Sequence, residues 1–81
     1  MGRGPNNAGN PTIFLSRPVW KMANHMCGGQ LLDILIFERA RGQSYDSISK
    51  FLYGTYGVEI TKNTIAKWCL QIAKMQERGE L

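Results

Sequence analysis

Glycines divide this sequence into stretches whose apolar residues recur every three or four positions, as they do on one face of an α-helix. A glycine can end a helix because it readily adopts the left-handed backbone conformation. The 81 residues suffice for one domain, and a domain of that size buries only about 60% of the surface of its unfolded chain. We therefore predict an all-α fold, a small bundle of about four helices. The stretches are residues 19–27, 30–40, 44–52 and 61–75.

The first dozen residues carry almost no side chain that a core would bury. Residues 1–12 are rich in glycine, asparagine and proline, a composition typical of a flexible arm. One interpretation is a disordered terminus. The other is an arm that carries Arg3 into a DNA minor groove, as homeodomain arms do. We expect the folded domain to comprise residues 13–81.

The first two helices are predicted from their start signals and apolar stripes. Ser16 followed by Pro18 indicates a helix start, because a hydroxyl caps the first turn and that turn tolerates proline. The second helix should be the central helix of the core, because its apolar residues cover most of its circumference. The expected inner residues are Val19, Met22, Ala23, Met26 and Cys27 on the first helix and Leu31, Leu32, Ile34, Leu35 and Phe37 on the second.

The charge of the chain favours an anionic partner. The formal net charge is +4 and the isoelectric point is about 9.4, so nucleic acid is the first partner to consider and an anionic membrane surface the second. The most apolar segment, residues 31–37, is too short to span a bilayer, and no secretory signal is visible. We expect a soluble protein in the cytoplasm, or in the host cytoplasm if a phage encodes it.

Side chains suited to catalysis or metal binding are few. His25 is the only histidine, and it is accompanied by no nucleophile or phosphate-loop motif. Cys27 and Cys69 are far apart and lack the spacing of a metal site. We interpret them as free thiols in a reducing compartment, and a disulfide between them stays open. We predict no enzymatic activity, no cofactor and no metal site.

Residues 44–52 have the pattern of the first helix of a helix-turn-helix. Ser44 has the side chain of an N-cap. Ile48 is the expected buried anchor, and Ser49 is the small residue where the two helices cross. Leu52 completes the apolar stripe.

Residues 60–69 have the pattern of the second helix. Ile60 should fill the turn and Thr61 should cap the helix, while Ile65 and Trp68 face inward. No acidic residue occurs from position 60 to position 76. Such a run suits a surface that approaches phosphates.

The two patterns together resemble the helix-turn-helix of bacterial and phage regulators and of the DNA-binding domains of transposases and resolvases. The stretch leading into the second helix, residues 57–68, reads GVEITKNTIAKW, and the resemblance covers roughly a third of the chain. The turn, expected at residues 53–58, is about six residues longer than usual, as in the transposase-like versions. The resemblance implies that the second helix enters the major groove of DNA.

The second helix carries the expected base contacts and most of the phosphate contacts. Asn63 can form hydrogen bonds with N6 and N7 of adenine. Such a pair is worth about 1–3 kcal/mol of discrimination against the other bases. Lys62 can reach guanine or a phosphate, and Lys67 a phosphate. Thr61 and Thr64 can hold a phosphate through a hydroxyl or backbone N–H. The expected outer face comprises Lys62, Asn63, Ala66 and Lys67.

Two residues of the preceding helix complete the predicted interface. Lys50 and Ser44 are candidates to hold the DNA backbone across the groove. We also expect a homodimer, because one recognition helix reads only a few base pairs. Residues 19–27, with Trp20, or the C-terminal helix would supply its surface.

The predicted function is sequence-selective binding of double-stranded DNA by a small transcriptional regulator of a phage or another mobile element. One alternative is an accessory DNA binder, such as a small terminase-like packaging subunit or an excision factor. The other is a helical module that binds a protein partner.

Overall fold

The structure is a computed structural model that describes residues 11–80 of the chain. Within that range it contains four α-helices and no strand, which confirms the predicted small all-α bundle. A short 3₁₀ helix precedes the first α-helix. The elements are the 3₁₀ helix Pro11–Ser16, α1 Pro18–Met26, α2 Leu31–Ala40, α3 Tyr45–Tyr56 and α4 Lys62–Glu77.

The C-terminal helix α4 is the central element of the bundle. It is the longest described helix, with 16 residues, and it packs against the 3₁₀ helix, α2 and α3. One stripe makes these contacts, because helical periodicity places its members on the same face. Ile65 and Trp68 face inward as predicted, and the buried residues of the stripe are Ile65, Trp68, Cys69, Ile72 and Met75.

The prediction that α2 is the central helix is wrong. Its apolar residues surround the helix, but neighbouring elements cover only one side of it. That side buries Leu31, Leu35 and the carboxylate-bearing Glu38. Phe37 remains 59% exposed, and the guanidinium of Arg41 lies 5.4 Å from the centroid of its ring.

The inner face of α1 also differs from the prediction. Ala23 and Cys27 are buried as expected, but the third buried residue is Trp20, while Met22 is 56% exposed. Trp20 turns inward because its indole removes more apolar surface from water than the neighbouring side chains do. Val19 and Met26 are exposed together with Met22.

Near the N-terminus, the structure differs from the prediction in the role of Ser16 and in where the first helical element begins. Ser16 is not the cap of α1, because its hydroxyl donates to the carbonyl of Ile13 at 2.8 Å. The N-cap is Arg17, and Pro18 occupies the first turn as expected. The predicted flexible arm lies outside the described residues up to position 10, and Pro11 already begins the 3₁₀ helix.

Helix α3 is longer than predicted, so the connection to α4 is residues 57–61. The turn was expected from position 53, but the helix continues to Tyr56 and ends at Gly57, whose φ is 71°. The Val58 N–H donates to the carbonyl of Leu52 at 3.3 Å, which satisfies one of the last carbonyls of the helix. Val58 and Ile60 are buried on either side of exposed Glu59.

Both cysteines are buried free thiols. Burial raises the pKa of Cys27, and it raises the pKa of Cys69 against the opposing positive charge of Arg39. Among residues 11–80, no helix is both long and apolar enough to cross a membrane.

Candidate nucleic-acid interface

The connection between α3 and α4 is fixed from both sides. Ile48 and Leu52 of α3 are fully buried, as is Ile65 of α4, so the two helices share one core. The hydroxyl of Ser49 donates to the carbonyl of Ile60. Ser49 was predicted only as a small residue at the helix crossing. Its hydroxyl also forms a hydrogen bond that attaches α3 to the connection.

The N-terminus of α4 is capped and presents backbone donors. Thr61 is the N-cap, and its hydroxyl oxygen accepts from the Thr64 N–H at 3.3 Å. Helical geometry leaves the N–H groups of Lys62 and Asn63 without an intrahelical acceptor. The first turn contains no acidic residue, so this end of the helix dipole is free to attract an anion.

The exposed surface of α4 carries most of the predicted contact residues. Lys62, Asn63 and Lys67 are exposed, while Thr64 and Ala66 are half-buried. A rotation of about 100° per residue places Asn63 and Lys67 on the line opposite the buried stripe, with Lys62 and Ala66 on one flank. The helix has no carboxylate before Glu77.

The outer line of α4 continues beyond the predicted contacts. At helical spacing Leu70 and Lys74 follow Lys67 on the same line, and Leu70 is 58% exposed. The predicted interface included neither residue. Their spacing from Asn63, seven and eleven positions along the chain, was the available signal.

Lys50 lies near the connection that leads into α4. It lines a shallow pocket of about 270 Å³ with Ser49, Tyr53, Glu59 and Ile60. Its ammonium is 3.1 Å from the carboxylate of Asp46, and the two side chains are 78% and 55% exposed. Such an exposed pair is worth little, so a phosphate can replace Asp46. Glu59 places a carboxylate beside Lys50 in the lining of this pocket. The predicted interface did not include Glu59.

Ser44 lies at the opposite end of α3. It is the N-cap, as predicted, and its hydroxyl oxygen accepts from the Ser47 N–H at 3.1 Å. The next residue, Tyr45, lines a groove together with Cys69 and Gln76. Ser44 is therefore near the C-terminal half of α4 and does not join Thr61 in one cluster.

The described residues offer no evident metal centre. Within residues 11–80, no three or more His, Cys, Asp and Glu side chains are grouped so that they could hold a metal ion. His25 is exposed on α1. The candidate surface offers cations, an amide, hydroxyls and backbone donors, together with the exposed Leu70 and the carboxylate of Glu59.

The fold defines a small all-α bundle built around α4. Comparison of the chain with protein-family models, curated proteins and solved structures found no match. A function must therefore be argued from the side chains of the candidate surface.

Proposed function

We propose that this protein binds double-stranded DNA sequence-selectively, with α3, residues 57–61 and α4 acting as a helix-turn-helix. The observation that carries the proposal is the division of α4 into two faces. One face is a continuous buried stripe. The other is basic, polar apart from Ala66 and the exposed Leu70, and free of carboxylates before Glu77. A helix of this kind can rest on a bundle while its outer side enters the major groove.

The N-terminal half of α4 supplies the proposed contacts. Asn63 reads adenine, and Lys62 reaches guanine or a phosphate. The free N–H groups beside Thr61 hold a phosphate, as helix N-termini do. Lys67 and Lys50 bind the DNA backbone without reading sequence.

The proposed biological role is that of a small transcriptional regulator acting as a homodimer. One recognition helix reads few base pairs, so a second copy extends the site. The exposed apolar residues of α1 are the proposed dimer surface: Val19, Met22 and Met26. Trp20 is not part of that surface, because it is only 4% exposed.

The test begins with selection of bound duplexes from random DNA. Fluorescence anisotropy then compares the selected duplex with a scrambled one over a range of salt concentrations. We expect a preference for the selected duplex and an affinity that falls steeply with salt, because neutralised phosphates release counterions. Equal binding of both duplexes, or binding insensitive to salt, contradicts the proposal.

A pair of double variants assigns the binding to α4. Lys62→Ala with Asn63→Ala should abolish the preference for the selected duplex. Lys21→Ala with His25→Ala removes exposed polar groups from α1 and should leave the preference intact. Circular dichroism checks that both variants remain helical. If the two double variants lose the preference equally, the assignment to α4 is wrong.

A further inference from the structure

The surface between α2 and α4 opens into a groove that the proposed DNA contacts do not use. Its volume is about 360 Å³, within the range of about 300–1,000 Å³ found for small-molecule sites. Leu35, Cys69 and Ile72 are buried side chains that line it, and Leu70, which also lines it, is 58% exposed. A ligand in this groove would therefore cover apolar surface that is now in water.

One cation lies in the lining of the groove. Arg39 stacks over the ring of Tyr45, 4.4 Å from its centroid, and donates to the carbonyl of Gln43. These two contacts hold the guanidinium beside the groove. Among the described residues that line the groove, none carries a carboxylate.

The positive charge of Arg39 acts electrostatically on Cys69, a buried residue in the lining of the groove. That charge lowers the pKa of Cys69, while burial raises that pKa by more. A negative group on a ligand would meet the same field and would gain donors from the guanidinium.

We propose that this groove binds a small molecule that has an apolar body and one carboxylate. The carboxylate pairs with Arg39, and the apolar body lies against Leu70 and the buried residues beneath it. Residues 1–10 of the chain are a poor occupant by composition, because they contain Arg3 and no acidic residue, and their apolar side chains are only Met1, Pro5 and Ala8. None of the proposed DNA-contact residues lines the groove, so the site can be tested without DNA.

The test uses octanoate and phenylacetate as carboxylate probes and octanol as an uncharged one. We expect saturable one-site binding of at least one carboxylate by calorimetry. Backbone amide shifts in NMR spectra should concentrate at groove residues such as Leu35, Leu70 and Ala73. No saturable binding by either carboxylate, or shifts concentrated at exposed Met22 of α1, overturns the proposal.

Three variants distinguish specific binding in the groove from nonspecific electrostatic attraction of carboxylates to a basic protein. Arg39→Gln should weaken carboxylate binding about tenfold, as expected for a lost charge-assisted hydrogen bond, and leave octanol binding unchanged. Lys74→Gln removes a charge from α4 outside the groove lining and should change neither. Ala73→Trp should fill the groove and abolish binding of every probe. Circular dichroism checks each fold, and equal losses in Arg39→Gln and Lys74→Gln contradict the site.

Discussion

The indole rings of Trp20 and Trp68 meet edge to face, with 4.9 Å between their centroids and 85° between their planes. Phe14 meets the same Trp20 ring at 4.9 Å and 80°. Three rings thus join the 3₁₀ helix, α1 and α4. Such pairs are worth about 0.5–1.5 kcal/mol each beyond their buried area. This cluster anchors the N-terminal elements to the helix that carries the proposed DNA contacts.

Trp68→Ala should destabilise the domain by about 3–5 kcal/mol, because it removes a buried aromatic and leaves a cavity. Tyr53→Ala is the matched control, since Tyr53 is an aromatic that is 62% exposed. The control should cost about 0.5 kcal/mol or less. Urea unfolding followed by circular dichroism measures both. A Trp68→Ala protein as stable as the control would show that the ring cluster does not hold the bundle together.

Gly57 and Gly54 should respond oppositely to alanine. Gly57 has a φ of 71°, which an L side chain adopts only with strain, so Gly57→Ala should cost about 1 kcal/mol or more. Gly54 lies inside α3, and a Cβ added there meets no atom within 4 Å. Gly54→Ala should therefore stabilise the domain by about 0.5–1 kcal/mol. Thermal unfolding of both variants checks the sign, and equal effects would mean that α3 does not end at Gly57.

These two glycines show where sequence reasoning succeeds on this chain and where it stops. The stripe of α4 and the caps Ser44 and Thr61 were predicted, because each depends on local spacing. Gly54 and Gly57 both read as helix stops in the sequence, and only the backbone angle distinguishes them. The turn was therefore placed too early.

The errors in α1 and α2 have another cause. Both helices carry apolar residues on more than one side, so periodicity does not indicate which side a neighbour covers. Trp20 was consequently assigned to the surface and Phe37 to the core. In the candidate site, the outer line of α4 followed from the helical repeat. The positions of Glu59 beside Lys50 and of Ser44 far from Thr61 depend on how α3 packs, which local spacing does not reveal.

Asn63→Ala and Lys67→Ala should weaken DNA binding in different ways. Loss of the Asn63 amide should reduce discrimination between the selected duplex and one with a changed base by about 1–3 kcal/mol. Loss of Lys67 should weaken binding to every duplex alike and reduce the slope of log affinity against log salt by about 1. Anisotropy titrations at several salt concentrations measure both effects. If Asn63→Ala left discrimination unchanged, Asn63 would not read a base.

The proposed dimer should depend on the exposed apolar face of α1. Met22→Gln replaces the apolar thioether end of the side chain with a polar amide of similar length at a position that is 56% exposed, so it should weaken self-association without unfolding the monomer. His25→Gln is the control, because His25 is exposed on α1 and its neighbours on the apolar face stay unchanged. Sedimentation equilibrium measures both. Identical association of the two variants would place the dimer surface elsewhere or rule it out.

Thr61→Asp separates stability from DNA binding at a single position. Aspartate is as good an N-cap as threonine, and a negative charge at a helix N-terminus contributes about 0.3–1 kcal/mol of stability. The variant should therefore unfold at the same or a higher urea concentration than the native protein. The same charge repels a phosphate beside the N–H groups of Lys62 and Asn63, so DNA affinity should fall about tenfold, as a loss of about 1.4 kcal/mol implies. Thr61→Ser keeps the capping hydroxyl and should leave both properties near native. A Thr61→Asp protein that binds DNA with native affinity would mean that no phosphate approaches the start of α4.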